Sequence, residues 1–314
     1  MSKAGVAAAG PPRVQGLRPR GDELTGWALL LPAVLLVGLL VYYPGLVTLR
    51  DSLTGLNLRI PNSGTWVALE NYGRLLRTPE FWGVLGRSVL VVLFVLPIAL
   101  AIGLGAALVL NQPFPGRGVI RTLAILPWML PPLVNGFMWS WILNGDYGAL
   151  NGLLYQLHFI GTYQHWLAHP GGQVFWVGVA QAWTRYPFSM VVLLAALQSI
   201  PVEIYDGARI DGAGPWQLFR AVTFPMLMPA IAVALTVEFI ATFQIFDVIW
   251  SLTGGGAAGS VINPFTKTVM LYNYELVFRN LEIGLGAALA YLILIVSLGI
   301  GYVFVRNLYE KALP

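Results

Sequence analysis

The 314-residue chain contains no cysteine, and only 10% of its residues are charged. The lack of cysteine excludes disulfide bonds, zinc–thiolate sites, iron–sulfur clusters and a cysteine nucleophile. A soluble globular chain has about 25% charged residues. A hydrophobic content of 57% with a mean hydropathy of +0.71 therefore argues against a cytosolic enzyme. The composition predicts one membrane-embedded domain.

Several signatures of catalysis are also missing. The three histidines lie within residues 158–169 and no HExxH motif occurs, so we expect no metal site. The glycine-rich segment 253–260 lacks the Gly-Lys-Ser/Thr of a P-loop, and the apolar runs contain no Ser/Asp/His set. A net charge of +4 reflects loop orientation better than nucleic-acid binding. We expect a non-catalytic chain without cofactor, metal or nucleic-acid partner.

Six runs are long and apolar enough to cross a membrane, which takes about 20 residues. The third run contains Pro127, Pro131 and Pro132, so we expect that helix to be kinked and packed inside protein. The predicted fold class is all-α, a polytopic membrane protein with six transmembrane helices and no detachable soluble domain. The predicted spans cover approximately residues 27–49, 88–111, 122–144, 174–198, 226–250 and 283–305.

The charges of the connecting segments predict the orientation. Residues 1–23 read as a disordered basic tail, not a cleaved signal, because the apolar run that follows is too long and lacks a small-residue cleavage site. The short loop 112–121 carries Arg117 and Arg121 and no acid. Cytoplasmic loops are enriched in Lys and Arg. We therefore expect both termini in the cytoplasm.

The segment between the fourth and fifth predicted spans, residues 200–225, is called the elbow below. Pro201 suits a helix start, Gly212 breaks the helix, and Gly214-Pro215 starts a second one. A short helix docked in a partner's groove fits this pattern, and so does an amphipathic helix lying on lipid headgroups. Mixed charges and glycines favour docking. The candidate docking residues are small or acidic: Glu203, Asp206, Gly207, Ala208, Asp211, Gly212 and Ala213.

The elbow also resembles a known motif. The run Asp206-GARI-Asp211-GAGPWQLFRAVTF-Pro225 is similar to the EAA motif of ABC importer permeases, with Asp206-Gly207-Ala208 in place of Glu-Ala-Ala. Other segments across residues 24–310 resemble the maltose-type (MalF-like) sugar permeases. They are Leu69-Glu70-Asn71-Tyr72, Arg121-TLAILPWMLPPLV, Tyr147-GALNGLL and Ile245-Phe246-Asp247 followed by Leu252-Thr253-Gly254-Gly255-Gly256.

This resemblance implies an ABC importer type I permease fold in a bacterial or archaeal cytoplasmic (inner) membrane. It implies a second homologous permease subunit, two ATPase subunits that bind ATP and Mg, and an extracytoplasmic solute-binding protein. The implied substrate is a sugar, a disaccharide or an oligosaccharide, and the elbow would couple the permease to the ATPase. Alternatives are a permease for glycerol-phosphate or polyamine, or an ion-coupled secondary transporter, in which the elbow would have no role.

Polar groups within the predicted spans are candidates for a substrate path. Arg185 is costly in a bilayer, so it lines a path, forms an ion pair with Asp247 or Glu238, or lies close enough to an interface to extend its charge to water. Glu238 and Asp247 point to opposite faces of a straight helix, whereas Gln244 and Asp247 share one. Asp247 reads as a cap near the outer end. The path candidates are Arg185, Glu238, Gln244, Trp139 and Trp183, with an interfacial belt favoured for the tryptophans, Trp141 included.

Overall fold

The computed structural model describes residues 20–253 and 264–309. Within these ranges the chain is helical, and the pairing of Thr54 with Trp66 is an isolated β-bridge. Three π-helical turns continue the helices: π1 Gly38–Tyr42, π2 Phe219–Thr223 and π3 Glu275–Arg279. The α-helices are α1 Arg20–Val37, α2 Tyr43–Ser52, α3 Glu70–Arg77, α4 Pro79–Asn111, α5 Arg117–Met129, α6 Pro132–Ile142, α7 Ala149–Gln156, α8 Pro170–Ser199, α9 Val202–Ile210, α10 Pro215–Leu218, α11 Phe224–Phe243, α12 Asp247–Leu252, α13 Val269–Tyr274 and α14 Ile283–Tyr309.

The chain divides into two compact units, residues 1–50 and 51–314. In the first unit, the described residues form α1, π1 and most of α2. Apolar side chains point outward all around this helix, as Trp27, Leu35 and Leu40 show by their high exposure. A helix that is apolar on every side suits a lipid environment.

The second unit is built around α4, which packs along α8 and also contacts α11. Gly103 lies where α4 meets α8. A Cβ atom at Gly103 would come within 2.7 Å of Ser189 Cβ and 2.9 Å of the Tyr186 carbonyl oxygen. Small residues at such crossings let two membrane helices approach closely. Gly178 of α8 lies equally close to α4, since a Cβ atom there would come within 2.3 Å of the Phe94 ring, so two glycines allow the close α4–α8 contact.

Four helical segments of the described chain are long and apolar enough to cross a membrane, and a bent pair adds a fifth. The single segments are Thr25–Ser52, Pro79–Asn111, Pro215–Phe243 and Ile283–Val303, and the bent pair is Gly171–Ser199 with Val202–Ile210. Helix α4 starts at Pro79, nine residues before the second predicted span, 88–111, and carries Glu80 and Arg87 in its first turns. Counting uncharged residues missed those turns.

The third predicted span, 122–144, is wrong as one kinked helix. Helix α5 ends at Met129 and α6 begins at Pro132, and Leu130 and Pro131 between them are extended. A residue that precedes proline is disfavoured in the helical region, and each proline lacks an N–H donor. Two successive prolines therefore break the helix.

The fifth predicted span, 226–250, is wrong at its end, because α11 stops at Phe243 and a separate α12 starts at Asp247. Neither glycine nor proline lies at the break. The Thr268 hydroxyl instead donates a hydrogen bond of 3.2 Å to the Ile245 carbonyl oxygen. This bond from a distant segment gives the carbonyl the partner that a continuing helix would have supplied.

An ion-pair cluster holds the segment before α13 against the start of α4. Lys267 is only 8% exposed, and its Nζ atom lies 2.5 Å from Glu80 Oε1 and 2.7 Å from Glu275 Oε2. Arg87 Nε donates to the Lys267 carbonyl oxygen at 2.9 Å. Burial lowers the pKa of Lys267, but the hydrogen bonds and charges of Glu275 and Glu80 outweigh it and raise the pKa above its usual value.

Candidate functional site: the elbow and the intramembrane cavity

The elbow begins with a sharp change of direction. Helix α8 ends at Ser199, Ile200 and Pro201 adopt extended angles, and α9 leaves at 68° to α8. Pro201 cannot continue the α8 hydrogen bonds because it has no N–H group. Pro201 therefore fixes the point at which the chain changes direction into the elbow.

The turn after α9 is a Schellman motif centred on Gly212. The N–H of Gly212 donates to the Arg209 carbonyl oxygen at 3.0 Å, and the N–H of Ala213 donates to the Ala208 carbonyl oxygen at 3.0 Å. Gly212 has a φ of +86°, which glycine adopts without strain. Both ends of the turn are therefore hydrogen-bonded, and the elbow has a defined shape.

A second helix start follows immediately. Gly214 has extended angles, Pro215 is the first residue of α10, and the Gly214 N–H donates to Gln217 Oε1 at 2.8 Å. A side-chain acceptor three residues into a helix satisfies the N–H at its beginning. The predicted order of helix, glycine turn and helix is what the structure has.

The surface of the elbow combines acidic, small and large apolar residues. Ile210 is 86% exposed and Trp216 is 70% exposed. Asp206 pairs with Arg209 at 2.8 Å, but both side chains are largely in solvent, so the pair adds little stability. A Cβ atom at Gly207 would meet no atom of the described residues within 4 Å. The chain's own packing gives no reason for a small residue at that position.

The remaining elbow candidates also lie at the surface. Glu203 and Asp211 are exposed, whereas Ala208 and Ala213 are half-buried. No residue of α9 is buried. The helix therefore presents nearly its whole circumference to its surroundings.

Within the membrane helices, Arg185 of α8 pairs with Glu238 of α11. Arg185 Nε lies 2.6 Å from Glu238 Oε2, with the two side chains 18% and 2% exposed. The sequence left open whether Arg185 lines a path or forms an ion pair; the structure shows the ion pair, and Arg185 also lines the cavity described next. Glu238 is covered and lies behind Arg185, away from the cavity described next.

A polar cavity of about 290 Å³ lies between two helix breaks. The break between α5 and α6 contributes one wall, the break between α11 and α12 a second, and one face of α8 a third. Unwound segments at membrane depth are tolerated where they line a cavity. The lining residues are Trp128, Leu130, Pro132, Gln181, Thr184, Arg185, Ala241, Gln244, Ile245, Phe246, Asp247 and Val248.

Some of the predicted path residues line the cavity and others do not. Gln244 and Asp247 line the cavity together, although the helix between them is interrupted. Asp247 is exposed in the cavity and makes no side-chain cap of α12. Trp139 and Trp183 lie in an aromatic cluster, with ring centres 6.3 Å apart, and neither lines the cavity.

The lining residues that the sequence analysis missed include Gln181, Thr184 and Trp128. Thr184 and Arg185 lie three and four residues after Gln181, so helical periodicity could have placed Gln181 on the same face as both. Trp128 packs against Phe188 with ring centres 5.8 Å apart. Its place at the cavity depends on the α5–α6 break, which no local signal at Trp128 indicates.

These features describe a polytopic membrane protein with a polar intramembrane cavity and an exposed elbow between two of its long helices. The family described as "Binding-protein-dependent transport system inner membrane component" matches residues 99–313. The chain belongs to this family, which confirms the resemblance found in the sequence.

Relatives match along nearly the whole chain. The sulfoquinovosyl glycerol transport system permease protein SmoG of Agrobacterium fabrum is 33% identical over 291 residues, covering 93% of this chain and 92% of the relative. The trehalose/maltose transport system permease protein MalF of Thermococcus litoralis is 31% identical over 281 residues, covering 90% and 92%.

The fold has a match among solved structures. One chain of a bacterial alginate ABC transporter, crystallised with an alginate pentasaccharide-bound periplasmic protein, superimposes with a TM-score of 0.77. It is 20% identical, and the match covers 91% of this chain and 94% of that one. The two chains therefore share a fold.

Proposed function

We propose that this chain is a membrane-spanning permease subunit of an ATP-driven importer that carries a saccharide across a cytoplasmic membrane. One observation carries the proposal. An exposed elbow of defined shape joins the two helices, α8 and α11, that are paired through Arg185 and Glu238, and Arg185 lines a polar cavity. Motion imposed on the elbow can thereby reach the cavity, which is the coupling that an ATP-driven permease needs.

Six crossings are proposed. The four single spans and α8 account for five, and α5 with α6 supplies the sixth as a broken crossing. Their 13 and 11 residues extend to about 36 Å as helix, enough for a hydrocarbon core of about 30 Å. Six crossings place both termini on one side. Arg117 and Arg121 favour the cytoplasm for that side and for the elbow.

The elbow is proposed to dock on an ATPase subunit, which binds ATP and Mg. Ile210 and Trp216 supply the apolar contact area, and Gly207 and Gly212 let a partner backbone approach closely. Lipid headgroups are the weaker alternative because Glu203 and Asp211 would face them. The same assembly includes a second permease and an extracytoplasmic solute-binding protein.

The cavity favours a saccharide over the alternative substrates. Gln181, Thr184 and Gln244 offer both donors and acceptors, which suit hydroxyl groups. A phosphate would need several free basic groups, but Arg185 is paired with Glu238. The named relatives transport sulfoquinovosyl glycerol and trehalose or maltose. These names support a saccharide without selecting one.

Uptake by the complete transporter in proteoliposomes tests the substrate. Maltose, trehalose and sulfoquinovosyl glycerol serve as saccharide probes, with glycerol 3-phosphate and spermidine as competitors from the other classes. We expect ATP-dependent uptake of a saccharide only. We also expect Asp247→Asn to reduce this uptake about tenfold, since a saccharide hydroxyl would then donate to a neutral amide instead of a carboxylate, whereas Asp146→Asn at an exposed site outside the cavity leaves it unchanged. Uptake of spermidine or glycerol 3-phosphate alone contradicts the proposal.

A pair of glycine variants tests docking. Gly212 and Gly116 both have positive φ, +86° and +80°, and a Cβ atom at either would meet no described atom within 4 Å. Gly212→Trp and Gly116→Trp therefore carry similar local strain. We expect only Gly212→Trp to lose the co-purifying ATPase while both variants remain in the membrane. Retention of the ATPase and full transport by Gly212→Trp refutes docking at the elbow.

A further inference from the structure

A buried hydroxyl pair connects the elbow to the base of α11. The phenolic oxygen of Tyr205, on α9, lies 3.1 Å from Thr223 Oγ1 at the end of π2. Thr223 is buried and Tyr205 is half-buried. Because no residue of α9 is buried, this pair ties an otherwise exposed helix to the protein interior.

A neighbouring carbonyl group extends this contact to the backbone. Thr223 Oγ1 also lies 3.4 Å from the Leu218 carbonyl oxygen, which can only accept. Each hydroxyl has one proton and can also accept, so either Tyr205 or Thr223 can donate in the contact between them. The two hydroxyls form a short chain that ends on the backbone of α10.

The π-helical turn gives this connection a second component. Trp216 stacks on Phe219 with ring centres 5.6 Å apart, and Phe219 contacts Phe224 at 6.0 Å. These rings run from the exposed side of the elbow into α11. Tyr205 provides the side-chain hydrogen bond from α9 to Thr223 at the start of α11, and α9 is bounded by turns at Pro201 and Gly212.

We propose that Tyr205 is a positioning residue that makes α9 and α11 move as one body. The inference rests on the proposed function, since it assumes that the elbow is displaced by an ATPase. From Thr223 to Glu238, α11 rises about 22 Å. A displacement of α9 therefore reaches the Arg185–Glu238 pair through a rigid helix. Without the phenolic hydroxyl, α9 can turn about Pro201 and Gly212 while α11 stays in place.

Tyr205→Phe removes the hydroxyl and keeps the ring. The matched control is Tyr186→Phe, because Tyr186 is also half-buried and its hydroxyl donates to the Ala124 carbonyl oxygen at 3.2 Å, away from the elbow. In the reconstituted transporter we measure ATP hydrolysis and saccharide uptake together. For Tyr205→Phe we expect a retained ATPase, hydrolysis within about twofold of the wild type, and about fivefold less uptake per ATP. Tyr186→Phe should keep the wild-type ratio.

Variants of Thr223 test the other partner of the hydrogen bond. Thr223→Ser keeps the hydroxyl and should keep the wild-type ratio of uptake to ATP hydrolysis, whereas Thr223→Val should lower that ratio as Tyr205→Phe does. The double variant Tyr205→Phe/Thr223→Val should be no worse than either single one. If Tyr205→Phe has an unchanged ratio of uptake to ATP hydrolysis, the positioning role is wrong. It is also wrong if Tyr205→Phe loses the ATPase, because the hydroxyl would then serve docking.

The proposed function has a separate test: it is refuted if no ATPase co-purifies with the wild-type chain.

Discussion

Replacing Glu238 with glutamine removes the negative charge opposite Arg185 and keeps the shape of the side chain. Removing one partner of a buried ion pair costs about 3–5 kcal/mol. Arg185 is 18% exposed and lines a polar cavity, so water screens part of its unpaired charge and we expect about 2 kcal/mol. For a chain of 314 residues, that lowers the melting temperature by roughly 3 °C.

Thermal unfolding of the purified complex in detergent, at a fixed heating rate because such unfolding is irreversible, measures this loss. Arg185→Gln should cost less, since the remaining carboxyl group can take up a proton whereas a guanidinium cannot lose one. The double variant Arg185→Gln/Glu238→Gln should recover most of the lost stability, with a coupling energy between the two substitutions of about 1–3 kcal/mol. If Glu238→Gln has the melting temperature of the wild type, or if the stability losses of the two single variants simply add, the ion pair does not hold α8 to α11.

Three further outcomes are expected. Gly103→Val should destabilise the protein by about 1–3 kcal/mol in thermal unfolding, because the added side chain collides with Ser189. Gly105→Val, whose side chain meets no described atom, is the control. Equal losses of stability in the two variants would refute the reasoning. Gly207→Ala should stabilise α9 by about 1 kcal/mol, and the ATPase should still co-purify with it. Loss of the ATPase would show that even a methyl group blocks docking. The raised pKa of Lys267 stabilises the fold below pH 10.5, the ordinary pKa of a lysine, and this stabilisation disappears as pH rises through the folded-state pKa. Lys267→Arg should therefore have a higher melting temperature than the wild type only above about pH 10.5. A difference in melting temperature at pH 8 would contradict this.

The sequence predicted the elbow well because its signals are local. Pro201 and Gly212 fix the two turns through backbone restrictions that need no partner. The apolar runs likewise identified the long helices, although Glu80 and Arg87 concealed the start of α4. Charged residues in the first turn of a long membrane helix can lie beyond the apolar core.

The breaks at the cavity were less accessible to sequence reasoning. Pro131 and Pro132 signalled a disturbance, but whether two prolines kink or separate a helix depends on what surrounds them. The end of α11 depends on the Thr268 hydroxyl, which comes from 23 residues further along the chain. The partner of Arg185 was also a tertiary question, because Glu238 and Asp247 were both within its possible reach.

The absence of cysteine from the natural chain allows the central claim to be tested by single-cysteine crosslinking. Ile210→Cys places a thiol on the elbow at a position that is 86% exposed, and Phe159→Cys places one at a position that is 75% exposed in the segment between α7 and α8. In membranes containing the complete transporter, we predict that Ile210→Cys crosslinks to the ATPase and is protected from membrane-impermeant reagents added outside, whereas Phe159→Cys reacts with those reagents. Labelling of Ile210→Cys from outside, or crosslinking of it to the solute-binding protein instead of the ATPase, would contradict the account.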